Sequence, residues 1–162
     1  MASSTPSQNA DDTSDVDISL LDSLVGYNLR RAAATQRERF RHVFAPFDIR
    51  PVQLTVLTIV LHNGRLGQSK LGTALGMKRA NVVKLLDELE ARGLTERRPS
   101  TIDRRAYDVH LTAKGNRLTR KLLALHEKLE ADLAVSIGED DLKRLVELLR
   151  RFRRIDSEPN LS

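Results

Sequence analysis

The chain has 162 residues, room for one domain with a real core and too few for two of ordinary size, and its Leu-, Val- and Ala-rich, aromatic-poor composition points to packed helices. It has no cysteine, which excludes disulfides, a cysteine nucleophile and any thiol switch, and no run approaches the roughly 20 apolar residues of a membrane span. The formal charge of +5 hides an uneven split: Asp11, Asp12, Asp15 and Asp17 stand in residues 1–17 without a Lys or Arg, leaving +9 on the remainder, which fits a nucleic-acid partner and equally a generic basic protein.

Residues 1–17, small, polar and without apolar periodicity, read as a disordered acidic tail, and Met1 to Ala10 lacks the basic and apolar regions of a secretory signal. The expected location is therefore the cytoplasm, with no membrane partner. From Leu20 onward, Leu21, Leu24, Val25, Leu29, Ala32, Phe40 and Val43 recur at helical spacing, predicting one helix that ends before Pro46. Pro51 opens a second helix through Leu54, Leu57, Val60 and Leu61, which Asn63-Gly64 stops. A short helix over 69–75 follows, then the turn Gly76-Met77-Lys78. A longer helix over 79–92 turns Val82, Leu85, Leu86 and Leu89 inward and stops at Gly93. The period then changes to that of two strands, 94–98 and 106–111, the second alternating Tyr107, Val109 and Leu111 against Asp108 and His110. A polar, basic loop joins them. Thr112 caps a long helix running to about Val135. A last helix starts on Glu139, Asp140 and Asp141 and ends on Arg150, Arg151, Arg153 and Arg154, charges that complement the helix dipole.

Two helices joined by a Gly-containing turn and followed by a hairpin with a basic tip make a winged helix-turn-helix. The fold class is mainly α with a small β-hairpin wing. A helix fits the major groove, where base edges carry a distinguishable pattern of donors and acceptors. With the apolar face of 79–92 held inward, Lys78, Arg79, Asn81 and Lys84 are expected to reach bases or phosphates of double-stranded DNA. The C-terminal half is acidic at Asp87, Glu88 and Glu90, so the N-terminal end inserts. On the wing, Arg97 and Arg98 on the outgoing strand and Arg104 and Arg105 on the return are expected at the DNA, since an Arg suits a narrow minor groove. Asp103 is expected to orient a neighbouring guanidinium.

These residues carry a family likeness. Leu71-Gly-Thr-Ala-Leu-Gly76, Val82, Leu89-Glu-Ala-Arg-Gly-Leu94, Arg97, Asp103-Arg-Arg105 and Val109-His-Leu-Thr-Ala-Lys-Gly115, with Pro51-x-Gln53 upstream, resemble the MarR family of bacterial transcription regulators over about residues 18–155. The wing, Asp103-x-Arg105 followed by Leu111-Thr112-x-x-Gly115, is the most specific part. The family often has Ala at the place of Gly72 and Ser or Thr at those of Lys78 and Asn81.

The resemblance implies a two-fold homodimer formed by N- and C-terminal dimerisation helices. It also implies binding to a pseudo-palindromic operator, usually as a repressor, and release by a small, often aromatic, ligand. On that reading 18–155 is a single regulator domain, with a DNA-binding lobe at 46–112, dimerisation helices at 18–45 and 113–155, and a flexible C-terminus at 156–162. The residues themselves also favour a dimer. Leu142, Leu145, Val146, Leu148, Leu149 and Phe152 crowd the last helix, although a monomer covering that stripe with its own first helix remains the alternative.

The first helix is unusually basic. Arg31, Arg37, Arg39 and His42, with Arg30 and Arg41, are candidates to bind an anionic effector, an aromatic carboxylate or its coenzyme A thioester. A solvated face, or one touching DNA phosphates, explains the same arginines. His42, His62, His110 and His126 pair with no other His or carboxylate at a metal-ligand spacing, so neither a metal nor a cofactor is expected. There is no Gly-rich phosphate loop, serine nucleophile elbow or converging carboxylate pair, which argues against an enzyme. The competing reading is a non-specific architectural DNA-binding protein, whose binding falls with salt and ignores sequence.

Overall fold

The computed structural model describes residues 16–100 and 106–155. They fall into two units that divide between Arg39 and Phe40. The expected tail lies almost wholly outside the described residues, as do Asp103, Arg104, Arg105 and the segment 156–162.

In the first unit the single expected helix is interrupted. A short α1 (Ser19–Asp22) is followed by a break at Ser23 and Leu24, and α2 (Val25–Phe44) then runs on into the second unit. Local side chains favour the break. Ser23 Oγ donates to the Leu20 carbonyl at 2.7 Å, and Asn28 Nδ2 donates to the carbonyls of Asp22 and Leu24 at 2.7 and 3.0 Å. Such bonds compete with the helical ladder. None of residues 16–39 is buried, and Val16, Leu20 and Val25 are each more than 60% exposed.

The second unit holds the core. Phe40 and Phe44, stacked with ring centroids 4.1 Å apart, join Leu54, Val56, Leu57 and Val60 of α3 (Pro51–Asn63) and Leu71 of α4 (Gln68–Leu75). Val82, Leu85, Leu86 and Leu89 of α5 (Arg79–Ala91), Leu122 and Leu129 of α6 (Ala113–Ile137), and Ile49, Leu94 and Val109 complete it. A 3₁₀ turn (Ala45–Phe47) links α2 to α3. Pro51 occupies the first turn of α3, where its missing N–H costs nothing, and Gln53 Oε1 accepts the Arg50 backbone N–H at 3.0 Å. Gly76, at φ 61°, ends α4 in the left-handed conformation; its N–H and that of Met77 bond back to Thr73 and Gly72. The final helix, α7 (Glu139–Phe152), buries no residue.

The sheet has three strands where two were expected. β1 (Leu66–Gly67) pairs antiparallel with β3 (Tyr107–Leu111), which pairs antiparallel with β2 (Thr95–Pro99). Two residues are too few to show a period, so sequence patterning passes over β1. The extra strand also changes which residues of β3 are covered. Asp108, expected to face out, lies opposite Gly67 and is buried, whereas Tyr107, expected inward, lies beyond the β1 pairing and is 55% exposed.

Candidate nucleic-acid interface

Val82, Leu85, Leu86 and Leu89 anchor α5, none of them more than 4% exposed. That leaves Lys78, Arg79, Asn81 and Lys84 exposed together at its N-terminal end. Beside them lies a groove of about 720 Å³ between the start of α4 and the wing, lined among others by Arg65, Ser69, Lys70, Arg79 and Tyr107. Arg65, Ser69, Lys70 and Tyr107 were not singled out by sequence reasoning. The available signal was Ser69-Lys70 in the first turn of the leading helix of the pair, whose cap residue, Gly67, brings no side chain to its free amides.

The acidic end of α5 is engaged within the protein. Glu88 pairs with Arg50 and accepts from Gln53 Nε2 at 3.3 Å, tying α5 to the start of α3. Arg97 is turned away from the outer surface. Its Nη1 meets Glu90 at 2.5 Å, its Nη2 meets Asp87 at 2.6 Å, and its backbone N–H donates to the other Glu90 oxygen at 3.1 Å. Arg98 is different: its side chain is 60% exposed, with Glu96 at 2.5 Å. Arg92 donates to the carbonyls of Asp48 and Phe47 at 2.6 and 2.9 Å.

A compact junction joins the wing to α6. Thr112 Oγ1 donates to the Gly93 carbonyl at 2.7 Å and accepts the Gly115 N–H at 3.0 Å, and the Thr112 N–H bonds the Leu94 carbonyl at 3.1 Å. Lys114 Nζ donates to the Arg92 carbonyl at 2.8 Å. A Cβ on Gly115 would stand 1.9 Å from the Leu94 carbonyl oxygen. The Leu111-Thr112-x-x-Gly115 motif is thus a structural joint: Thr caps α6, and the missing Gly side chain lets the Leu94 backbone pass.

Of the expected effector residues, Arg31 and Arg37 are exposed and Arg39 partly so; these three belong to the first unit and His42, exposed, to the second. At 3.6 residues per turn, Arg37 lies roughly 120° around α2 from Arg31, whereas Arg39 lies within about 80° of it. The expectation for the histidines needs one correction. His126 Nδ1 stands 4.0 Å from Glu130 Oε1, so one of the four histidines does have a carboxylate one helical turn away. Among the described residues no group of three or more His, Asp or Glu side chains converges, and no single helix is long and apolar enough to cross a membrane.

A supported helix pair, a three-stranded wing beside it and a cationic N-terminal end on the second helix define a winged helix-turn-helix transcription regulator. Comparisons with known proteins narrow the class. The MarR family profile matches residues 49–107. A protein of Thauera aromatica assigned to transcriptional regulation of the hcr operon is 30% identical over 135 residues, 83% of this chain and 81% of that one. The transcriptional repressor CouR bound to a 23-mer DNA duplex superposes with a TM-score of 0.82 at 34% identity, covering 87% of this chain and all of that one. CouR bound to p-coumaroyl-CoA gives 0.79 at 32% identity, covering 88% of this chain and all of that one. The chain belongs to the MarR family of transcription regulators.

Proposed function

We propose that the protein is a sequence-specific repressor. It binds a pseudo-palindromic operator as a homodimer and lets go when an anionic aromatic ligand, an aromatic acid or its coenzyme A thioester, is bound. The observation that carries the DNA reading is the division of charge along α5: Lys78, Arg79, Asn81 and Lys84 are exposed at one end, while Asp87, Glu88 and Glu90 at the other are engaged by Arg50 and Arg97. DNA entering at the N-terminal end meets donors and cations. Arg98, with Arg104 and Arg105 on the wing, extends the contact to the flanking minor groove, and Asp103 orients one of those guanidinia. Arg65, Ser69 and Lys70 suit a phosphate at the edge of the same groove.

The domain division follows. The lobe 46–112 touches DNA, and 18–45 and 113–155 supply the dimer contacts. In support, none of residues 16–39 is buried, and Leu145, Leu148 and Phe152 of α7 are 42–49% exposed, more apolar surface than a lone helix leaves in water. The ligand reading is supported by CouR, a relative described in complex with p-coumaroyl-CoA. Arg31 and Arg39 are the cations offered to the anionic group; Arg37, on another side of α2, serves solubility or a DNA phosphate.

The test is selection from a library of random duplexes at physiological salt. Enrichment of one inverted repeat with half-sites about one helical turn apart, roughly 34 Å, supports the reading. Tight, salt-sensitive binding without enrichment supports an architectural protein instead. With the selected duplex as probe, p-coumaroyl-CoA and free p-coumarate are titrated. Release by neither overturns this choice of ligand class, and release that Arg31→Ala and Arg39→Ala leave unchanged overturns the two arginines.

A further inference from the structure

Arg97 follows α5, the recognition helix of the proposed DNA complex, along the wing, yet its guanidinium is held on the helix that the chain has just left. Glu90 takes both its backbone N–H and Nη1, and Asp87, one turn earlier, takes Nη2. Nη2 also approaches the Val83 carbonyl at 3.5 Å, so one side chain spans two turns of α5. The Arg97 side chain is only 22% exposed, and on the sheet side Arg97 stands opposite the buried Val109. We propose that Arg97 is a positioning residue: by fastening β2 to Asp87 and Glu90 it sets the angle between the wing and the recognition helix, so that both reach one DNA duplex at once.

The geometry shows why the angle needs fixing. Only Arg92, Gly93 and Leu94 separate α5 from β2, and Gly93 has a positive φ of 66°. A hairpin of five-residue strands reaches about 17 Å, so a rotation of about 10° at its root moves its tip by about 3 Å, a whole hydrogen-bond length. A planar, forked guanidinium meets the two carboxylates through separate nitrogens at a fixed spacing, whereas a lysine ammonium must serve both from a single atom and so fixes the geometry less tightly. The same bonds give Asp87 and Glu90 a role near polyanionic DNA, where unpaired carboxylates would weaken binding.

This inference rests on the DNA-binding reading above, and it makes predictions of opposite sign to a direct phosphate contact. The experiment uses the full chain, the duplex selected from the random library, and affinities measured across a salt series. It compares the wild type with Arg97→Lys, Arg97→Gln, the double change Asp87→Asn/Glu90→Gln, and that double change combined with Arg97→Gln. Hydrogen exchange of the free proteins is followed at 95–99 and 107–111.

The clamp predicts that Arg97→Lys, despite keeping its charge, weakens binding by about tenfold with the salt slope unchanged. The double carboxylate change weakens binding similarly, and the triple change adds little further, because one unit is being removed. Exchange in both wing segments speeds up while α3 and α6 stay protected. A phosphate contact predicts instead that Arg97→Lys retains affinity, that Arg97→Gln lowers the salt slope by about 0.9, and that neutralising Asp87 and Glu90 tightens binding. Any of these three results, or unaltered wing exchange, overturns the proposal. If the wild type binds no duplex, the DNA-binding reading falls and the positioning role with it, while the exchange measurement still reads whether the clamp holds the wing.

Discussion

Replacing Gly115 with alanine tests the joint between the wing and α6. An alanine Cβ would sit 1.9 Å from the Leu94 carbonyl oxygen and 2.8 Å from its carbon, both backbone atoms. Relief to an ordinary carbon–oxygen contact of about 3.3 Å requires the start of α6 and the Leu94 segment to separate by about 1.4 Å. That separation breaks the Thr112 N–H bond to Leu94, at about 1 kcal/mol. It also strains the cap in which the Gly115 N–H donates to Thr112 Oγ1, at about 1 kcal/mol. Leu94 and Leu122, 1% and 0% exposed, lose their packing register, at about 1–3 kcal/mol. Alanine returns about 1 kcal/mol through its helix propensity. The expected net loss is about 2–4 kcal/mol, and at roughly 2–4 °C per kcal/mol for a chain of this size the melting midpoint falls by about 4–16 °C. Thermal unfolding followed by circular dichroism measures it. A midpoint equal to or above that of the wild type would refute the close-approach argument.

Gly72→Ala should do the opposite. Gly72 lies inside α4, and its added Cβ meets Met77 O at 3.4 Å and Val82 Cγ2 at 3.5 Å, close but ordinary contacts. The change should stabilise by about 0.5–1 kcal/mol in denaturant unfolding, and a loss would show that α4 cannot yield there. Lys84→Ala, on the exposed side of α5, should weaken binding to the selected duplex and lower its salt slope by about 0.9, whereas Lys128→Ala on α6 should change neither. Equal effects in salt titrations would argue against α5 as the inserted helix. Leu145→Glu with Leu148→Glu places two carboxylates on the exposed apolar face of α7. Sedimentation should then show monomers and the inverted repeat should lose cooperative binding; an intact dimer would move the interface elsewhere.

Much of the fold was legible along the chain because its signals are local. Pro51 opens α3, Gly76 closes α4 in the left-handed region, Thr112 caps α6, and the charges at the two ends of α7 match its dipole. Each of these acts on atoms within about four residues, a range in which spacing and residue type decide the outcome. The cationic end of α5 was readable for the same reason: Val82, Leu85, Leu86 and Leu89 mark its inner face, and Lys78, Arg79, Asn81 and Lys84 then fall outside it.

What the tertiary structure decided are relations between segments that no period encodes. β1 is a strand because Leu66 and Gly67 find Val109 and Asp108, more than forty residues away, and that pairing reverses the expected exposure of Tyr107 and Asp108. An arginine on a basic hairpin reads as a DNA contact, yet Arg97 folds back so that its two terminal nitrogens meet Asp87 and Glu90, with Nε buried and without a hydrogen-bond partner. By residue type alone, Arg97 and Arg98 are equivalent neighbours. Their fates diverge because successive strand residues point to opposite faces, and only one of those faces lies against α5.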